Sequence, residues 1–232
     1  MLTAAAVKLV RQNFVARRLY SASCKIQVLR SENKFRRYKI AAKGYLMEEI
    51  TIRSAKLSDA EKLCEIYAYY VNNTAVTFED DAPDVNQFTE RMQNIMSFYP
   101  YFVAESGEEV VGFCYAGVFK TRSAYDWAVE TTVYVAKGFN RRGVGASLYA
   151  ALEKALKSQG IKNMYACIAY PAQEDEYLTA DSVNFHKKLG FKMIGRFRKC
   201  GSKFGRWYDM VWMEKMIGRH NSDPVRPVSY SD

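Results

Sequence analysis

The segment 127–160 constrains the fold of this chain more than any other stretch. Residues 127–135 are rich in β-branched and aromatic side chains, which predicts a strand. Residues 147–159 repeat apolar side chains at helical spacing, and Gly160 ends that pattern. A basic turn with two glycines, residues 140–146, separates the two elements. The segment therefore predicts a strand that passes through a short turn directly into an amphipathic helix.

The turn has the physical properties of an anion site. A helix start offers free backbone N–H groups and the positive end of a dipole, and glycines allow a ligand to approach the backbone closely. The residues predicted to cradle a pyrophosphate are Arg141, Arg142, Gly143, Val144, Gly145 and Ala146. The turn lacks the Lys-Ser/Thr pair of a P-loop and the third glycine of the dinucleotide fingerprint. An ordinary solvated basic turn therefore stays open as the alternative.

Composition excludes several classes of protein. A chain of 232 residues with 49% hydrophobic side chains is long enough for one well-packed domain. Apolar runs fall short of the roughly 20 residues that a membrane helix needs, so no membrane contact is expected. Five scattered cysteines without a Cys-x-x-Cys pair argue against a disulfide framework, and two histidines argue against a metal centre.

The net charge of +9 is unevenly distributed along the chain. Residues 1–46 hold eleven basic side chains and one acidic side chain, so the remainder is close to neutral. That remainder lacks the basic footprint of a nucleic-acid-binding protein, and no nucleic-acid partner is expected. Residues 219–232 are polar and contain two prolines, which predicts a flexible C-terminal tail.

Three further stretches, together with the turn, resemble a known family. Residues 122–127 read Arg-Ser-Ala-Tyr-Asp-Trp, residues 130–135 read Glu-Thr-Thr-Val-Tyr-Val, and residues 184–191 read Asn-Phe-His-Lys-Lys-Leu-Gly-Phe. With the turn Asn-Arg-Arg-Gly-Val-Gly-Ala, they resemble the GCN5-related N-acetyltransferases, the GNAT superfamily. Within it, they are similar to the phosphinothricin and methionine sulfone/sulfoximine N-acetyltransferases. The resemblance covers roughly residues 50–215.

The resemblance implies an α+β fold, with a mixed, mainly antiparallel sheet of six or seven strands and about four helices, in a domain spanning residues 47–218. It implies acetyl-CoA as co-substrate, without a metal, and acetyl transfer to the amino group of a small amino-acid-like substrate. In GNAT enzymes the strand matching residues 163–169 splays away from the strand before the turn and admits the pantetheine arm. Backbone groups of Val133, Tyr134 and Val135 are then expected beside the thioester.

Glu130 is the candidate general base. The attacking amine is largely protonated at neutral pH and must lose a proton, which a nearby carboxylate can accept directly or through a water. Glu130 stands in an otherwise apolar strand and shares a face with Thr132 and Tyr134, where a carboxylate without a role would be costly to bury. An ion pair or an outward-facing residue is the alternative.

The amino-acid-like substrate would itself carry a carboxylate or phosphinate. A guanidinium suits such a group because it can bind two oxygens at once. Arg122 is the first candidate and Lys120 the second, with Tyr125 and Glu130 as further substrate-binding residues. A solvated loop charge is the alternative for each cation. Residues 77–79 connect two predicted helices that flank the substrate mouth in this superfamily, but each is interpreted here as plain loop.

His186 occupies the place where many GNAT enzymes carry a tyrosine that protonates the departing thiolate. With a histidine pKa of about 6.5 and a thiol pKa of about 8.5, a histidinium could serve as that donor. The alternative is a histidine without a catalytic role, either at the surface or with its ring nitrogens hydrogen-bonded. Thr179 stands where relatives carry an asparagine that contacts the cofactor, which weakens its assignment as cofactor-binding. Cys167 has no base spaced to activate it, so direct attack is favoured over an acyl-enzyme.

Two rival functions remain open. The first is acetylation of another small amine or of a protein N-terminus, against which Arg122 and residues 125–127 argue. The second is an acetyl-CoA sensor without turnover. A homodimer in the cytoplasm is expected. Residues 1–46 suit a mitochondrial transit peptide or an upstream stretch included in the reading frame before Met47. The second interpretation is favoured because the resemblance is to bacterial-type enzymes.

Overall fold

The computed structural model of the chain describes residues 49–231, so the predictions on residues 1–46 lie outside the described part. The strands are β1 (Ile50–Ser54), β2 (Tyr101–Ser106), β3 (Glu109–Val118), β4 (Ala128–Val135), β5 (Asn163–Tyr170), β6 (Lys192–Lys203) and β7 (Arg206–Met216). The α-helices are α1 (Ala60–Asn73), α2 (Val85–Met96), α3 (Val144–Gln159) and α4 (Asp181–Lys188). The predicted α+β architecture, with six or seven strands and about four helices, is confirmed.

The seven strands form one mixed sheet in the order β1-β2-β3-β4-β5-β7-β6. Neighbouring strands are antiparallel except β4 and β5, which run parallel. Pairing between β4 and β5 ends at Glu130 with Tyr165, although β4 continues to Val135 and β5 to Tyr170. Beyond that last pair the two strands separate and leave a slot between them.

Helices cover both faces of the sheet because each presents one apolar stripe. The buried stripe of α3 contains Val144, Leu148, Leu152 and Leu156, which are at most 1% exposed. On the other face, α1 and α2 bury Leu63, Ile66, Phe88 and Met92. Spacings of three and four residues place each set on one side of its helix. Between residues 49 and 231, no helix is both long and apolar enough to cross a membrane.

The C-terminal segment, residues 219–231, differs from its prediction as a flexible tail. The Val228 N–H donates to the Gln159 carbonyl at 3.1 Å, and the Gln159 side-chain Nε2 donates back to the Val228 carbonyl at 2.8 Å. The Tyr230 ring packs edge-on against Phe102, with centroids 5.8 Å apart. Backbone hydrogen bonds at Val228 and the ring contact of Tyr230 therefore dock this segment on the domain.

Candidate active site

The turn before α3 forms an uncapped helix start. Gly143 has φ +87° and Arg141 has φ +62°, so the chain enters the helix through left-handed backbone that glycine adopts without strain. No side chain caps α3, and the Ser147 N–H closes the first turn onto the Gly143 carbonyl at 3.0 Å. The N–H groups of the first helical turn therefore remain available to an anion, together with the helix dipole.

The predicted cradle residues are brought together at this helix start. The Arg141 guanidinium is 83% exposed and pairs with Asp181 at 3.0 Å, while Arg142 lies over the Phe139 ring. At Gly145 an added Cβ would lie 3.1 Å from the Phe185 ring, so glycine lets α4 pack closely against α3. Two exposed guanidinium groups beside free N–H groups fit a pyrophosphate.

Thr179 lies close to the cradle, in the exposed loop before α4. Its hydroxyl accepts from the Asp181 N–H at 3.4 Å, and Asp181 is the residue that pairs with Arg141. The structure thus brings Thr179 to the same edge of the domain as the cradle.

The slot exposes one edge of β4. The Ala136 N–H donates to the Val111 carbonyl of β3 at 2.8 Å. Because N–H directions alternate along a strand, those of Val133 and Val135 point the other way, into the slot. The backbone of Tyr134, which was expected to act alongside them, is directed at β3. Two N–H groups of β4 therefore face the slot where no strand pairs with them.

Tyr70 also lies at this edge, although its helical spacing in α1 is typical of a core residue. Its hydroxyl, reaching from α1, donates to the Val135 carbonyl at 2.6 Å. Burial raises the pKa of Tyr70, so it stays a protonated donor. The Tyr70 hydroxyl therefore holds the end of the exposed β4 edge at Val135. This contact could not be predicted from sequence, because Tyr70 and Val135 lie on separate elements.

Glu130 is half-buried near the closed end of the slot. Burial raises the pKa of its carboxyl group, and the positive charge of Lys120 partly offsets that rise. The residue opposite Glu130 on β3 is Gly117, and a Cβ added to Gly117 would meet no atom within 4 Å. Among residues 49–231 the Glu130 carboxylate accepts no hydrogen bond and forms no ion pair. A raised pKa beside open space is the arrangement expected of a general base.

A cavity of about 110 Å³ lies on the same face of β4 as Glu130, beneath α1 and α2. Its polar lining includes Tyr67, Glu79, Arg91, Tyr115, Thr132 and Tyr134. Glu79 pairs with Arg91 at 2.8 Å. We call this the α1–α2 cavity. Sequence reasoning left Glu79 in plain loop, because its partner Arg91 is brought to it only by the packing of α2.

Lys120 is the predicted substrate-binding cation that the structure brings to Glu130. Its ammonium lies 5.1 Å from the centre of the Phe119 ring and 5.7 Å from that of Trp212. Its charge is close enough to favour the ionised form of Glu130. Lys120 therefore lies close to the face of β4 that carries the candidate base, Glu130.

Arg122 and Tyr125 lie on the exposed loop between β3 and β4. Arg122 precedes a short 3₁₀ turn, Ser123–Tyr125, and its guanidinium forms no ion pair within residues 49–231. The Tyr125 ring is 40% exposed and packs edge-on against Phe119 at 6.0 Å. The structure leaves the Arg122 guanidinium in solvent instead of bringing it into contact with Glu130.

His186 requires a correction to its predicted state. It is 3% exposed, its Nδ1–H donates to the Ser182 carbonyl at 2.8 Å, and its Nε2 accepts from the Tyr149 hydroxyl at 2.9 Å. Burial lowers its pKa to about 4. The imidazole is therefore neutral at pH 7, and the histidinium donor expected from sequence does not fit this buried position.

The hydrogen bonds continue from His186 to the closed end of the slot. The Tyr149 hydroxyl oxygen lies 3.2 Å from Thr131 Oγ1, and the Tyr165 carbonyl lies 3.0 Å from it. Thr131 can donate its single hydroxyl proton to either of these oxygens. Thr131 thus links β4 to β5 beside their last backbone pair. Thr131 and Tyr149 were missed from sequence because a buried threonine and a helical tyrosine are usually core. Together the chain of bonds joins β4, β5, α3 and α4.

A pH measurement checks the neutral state of His186. Since the folded state favours the neutral ring, the unfolded chain binds more protons between pH 6.5 and pH 4. Stability should therefore fall as pH falls through this range, by about 3 kcal/mol more in the wild type than in His186→Gln. Urea unfolding at several pH values measures the difference. His220→Gln should retain the wild-type slope, and parallel curves for wild type and His186→Gln would contradict the assignment.

In the part of the chain that the structure describes, no cluster of three or more His, Cys, Asp or Glu side chains could hold a metal ion. Cys167 lies on β5 near Glu130. The residue is exposed to solvent, but partial desolvation of its thiol, reinforced by the negative charge of Glu130, raises the pKa of that thiol to about 11.

Comparison with known proteins agrees with this geometry. Residues 52–212 match the family model described as an acetyltransferase (GNAT) domain. A phosphinothricin N-acetyltransferase of Streptomyces viridochromogenes is 34% identical over 181 residues, covering 78% of this chain and 95% of the relative. An L-methionine sulfoximine/L-methionine sulfone acetyltransferase of Pseudomonas aeruginosa is 30% identical, covering 76% of this chain and 96% of the relative.

A solved structure shows the same similarity to phosphinothricin acetyltransferases. A phosphinothricin acetyltransferase from Sinorhizobium meliloti, crystallised with AcCoA, superposes with a TM-score of 0.70 at 30% identity, covering 77% of this chain and 95% of that chain. The family match covers well over half of this chain, and the fold and the cradle agree with it. The chain therefore belongs to the GNAT family and is a phosphinothricin acetyltransferase-like N-acetyltransferase.

Proposed function

We propose that this protein transfers acetyl from acetyl-CoA to the amino group of a small amino-acid-like substrate of the phosphinothricin or methionine sulfone/sulfoximine type. The observation that carries the proposal is Glu130, a half-buried carboxylate with a raised pKa, at the last pair of β4 with β5 and on the same face of β4 as the cavity residues Thr132 and Tyr134. Relatives named for these substrates, at 34% and 30% identity, support the substrate class. Attack is direct, with both substrates bound together.

Acetyl-CoA would supply the activated acetyl group, and this chain's residues would hold it by two sets of backbone donors. The cradle would bind the pyrophosphate through the free N–H groups of α3, assisted by Arg141 and Arg142. The N–H groups of Val133 and Val135 face the slot and would stabilise negative charge that develops on a carbonyl oxygen. Thr179 would border the cofactor from the loop before α4.

On the acceptor side, Glu130 would take the proton of the attacking amine, directly or through a water. Lys120 and Arg122 would bind the substrate's carboxylate or phosphinate, with Tyr125 alongside. Lys120 already lies close to Glu130, and Arg122 is free to rotate inward from an exposed loop. The remainder of the substrate would occupy the α1–α2 cavity, whose Glu79–Arg91 pair offers polar contacts.

Two side chains near the slot have other roles. Cys167 stays a thiol at neutral pH, since its pKa is raised to about 11, so it is a poor nucleophile for an acyl-enzyme. His186 is neutral and would act as a positioning residue that holds Tyr149 against Thr131 at the closed end of the slot.

We also propose a cytoplasmic homodimer. Supporting observations are the apolar side chains that β6 and β7 present to solvent: Ile194 is 50% exposed, Phe197 53% and Trp207 65%. A second copy of the chain would remove this surface from water. Sedimentation velocity measures the state directly, and a monomer at micromolar concentration would refute it.

Thiol release from acetyl-CoA tests the proposed function. The protein would be assayed with phosphinothricin, methionine sulfone, methionine sulfoximine, common amino acids, a polyamine and N-terminal peptides. Rapid release with the three analogues is the expected result. Release only with the polyamine or peptides would overturn the substrate class. Acetyl-CoA binding without release on any acceptor would favour the sensor alternative.

A further inference from the structure

The C-terminal segment docks beside the loop that leads to Glu130. The family match ends at residue 212, whereas the segment begins at 219. The Trp127 Nε1–H donates to the Val225 carbonyl at 2.8 Å. The Arg226 guanidinium pairs with Asp126 and lies over the Trp127 ring, 5.8 Å from its centre. Two consecutive residues of the loop are thus held by two consecutive residues of the segment.

The segment is itself anchored to the body of the domain. The Gln159 side chain is 3% exposed, and its Nε2 donates both to Val228 and to the Phe98 carbonyl, the latter at 2.9 Å. The Tyr230 N–H donates to the same Phe98 carbonyl at 3.0 Å. Since these contacts fix the segment to α3 and to the chain after α2, it can serve as a rigid support for the loop.

The supported residue, Trp127, is where β4 and β5 come together. Its carbonyl accepts from the N–H groups of Lys162 and Asn163, at 2.8 and 3.1 Å, at the start of β5. Upstream, the loop is held mainly by local bonds, such as the one from the Tyr125 N–H to the Arg122 carbonyl at 2.9 Å. The direction in which the loop presents Arg122 therefore depends on how its downstream end is fixed.

We propose that Arg226 and the Val225 carbonyl are positioning elements for the acceptor substrate. By holding Asp126 and Trp127, they fix the backbone of the loop that carries Lys120 and Arg122, from which the two cationic side chains reach the substrate's anionic group. This inference rests on the proposed function, because it needs an acceptor with a carboxylate or phosphinate. It assigns the segment to substrate affinity and not to cofactor binding.

Charge variants test the proposal without endangering the fold, since the Arg226 side chain is 65% exposed and that of Asp126 39%. Arg226→Asp should raise KM for phosphinothricin about threefold or more, as expected for loss of an exposed ion pair and added repulsion. KM for acetyl-CoA should stay unchanged. Asp126→Arg combined with Arg226→Asp restores the pair and should recover much of the affinity. Arg219→Asp, an equal charge change in the same segment, is the matched control.

Removal of the segment tests the same idea with a larger effect. A chain ended after Gly218 should raise KM for phosphinothricin about tenfold or more, because small misplacements of binding groups are costly. Docking can be followed separately in a Trp207→Phe/Trp212→Phe background, which leaves Trp127 as the single tryptophan of three. Truncation should then increase quenching of Trp127 fluorescence by acrylamide.

Several outcomes would overturn the proposal. One is an unchanged KM for phosphinothricin in Arg226→Asp and in the truncated chain while Trp127 becomes more exposed. Another is an equal rise in both KM values, which would indicate general loosening. Failure of the paired charge swap to restore affinity would also count against it. Absence of turnover in the wild type with every analogue would instead refute the proposed function, and the positioning role with it.

Discussion

Glu130→Gln should lower kcat by about 10²- to 10³-fold while acetyl-CoA binds with wild-type affinity, because glutamine matches the shape of glutamate but accepts no proton. Glu130 lies outside the cradle, on the face of β4 that borders the α1–α2 cavity, so cofactor binding should not depend on its charge. Steady-state thiol release and calorimetric titration with acetyl-CoA measure the two quantities. Glu109→Gln, an equal change at the exposed start of β3, should behave as wild type.

The pH dependence supplies a second signature of the same group. A general base must be ionised, so kcat/KM should rise as pH increases through the pKa of Glu130. Burial raises that pKa, which moves the acid limb above the range of an ordinary glutamate. Glu130→Gln should lack this limb. A wild-type rate, or an acid limb that persists in the variant, would remove Glu130 from the proton transfer.

Reversing the charge of the cradle should give the second large effect. Arg141→Glu/Arg142→Glu is expected to raise KM for acetyl-CoA about 100-fold or more, because two charge-assisted contacts to phosphate are replaced by repulsion. Arg141 is 83% exposed, so its substitution should leave the fold intact. KM for the amino-acid substrate, measured at saturating acetyl-CoA, should change little.

The control for this variant is Lys154→Glu/Lys188→Glu, which makes the same change in net charge at exposed positions outside the cradle. It should keep the wild-type KM for acetyl-CoA. The salt dependence should also differ, because screening weakens exposed charge contacts and wild-type affinity should fall with ionic strength. Equal effects of the two double variants would mean that overall charge, and not the cradle, governs binding.

The strand, turn and helix around the cradle could be predicted because their signals are local. Apolar spacing defined α3, and Gly143 marked the turn directly before the helix, with Gly145 in its first turn. Glu130 could be proposed as a base for a related reason, since one carboxylate in an apolar strand differs from its immediate neighbours. In each case the informative residues are adjacent in sequence and need no knowledge of the fold.

The remaining parts of the site depend on contacts between distant residues. The protonation state of His186 is set by burial and by Tyr149, 37 positions away, and Glu79 gains its partner only when α2 packs beside its loop. The C-terminal segment meets Trp127 across 98 positions. Burial and pairing at such separations follow from how the elements pack. The sequence by itself therefore determined the family and the strand, turn and helix of the proposed cradle, and it singled out Glu130 as the candidate base. The tertiary structure decided the charge state of His186, the α1–α2 cavity and the docking of the C-terminal segment.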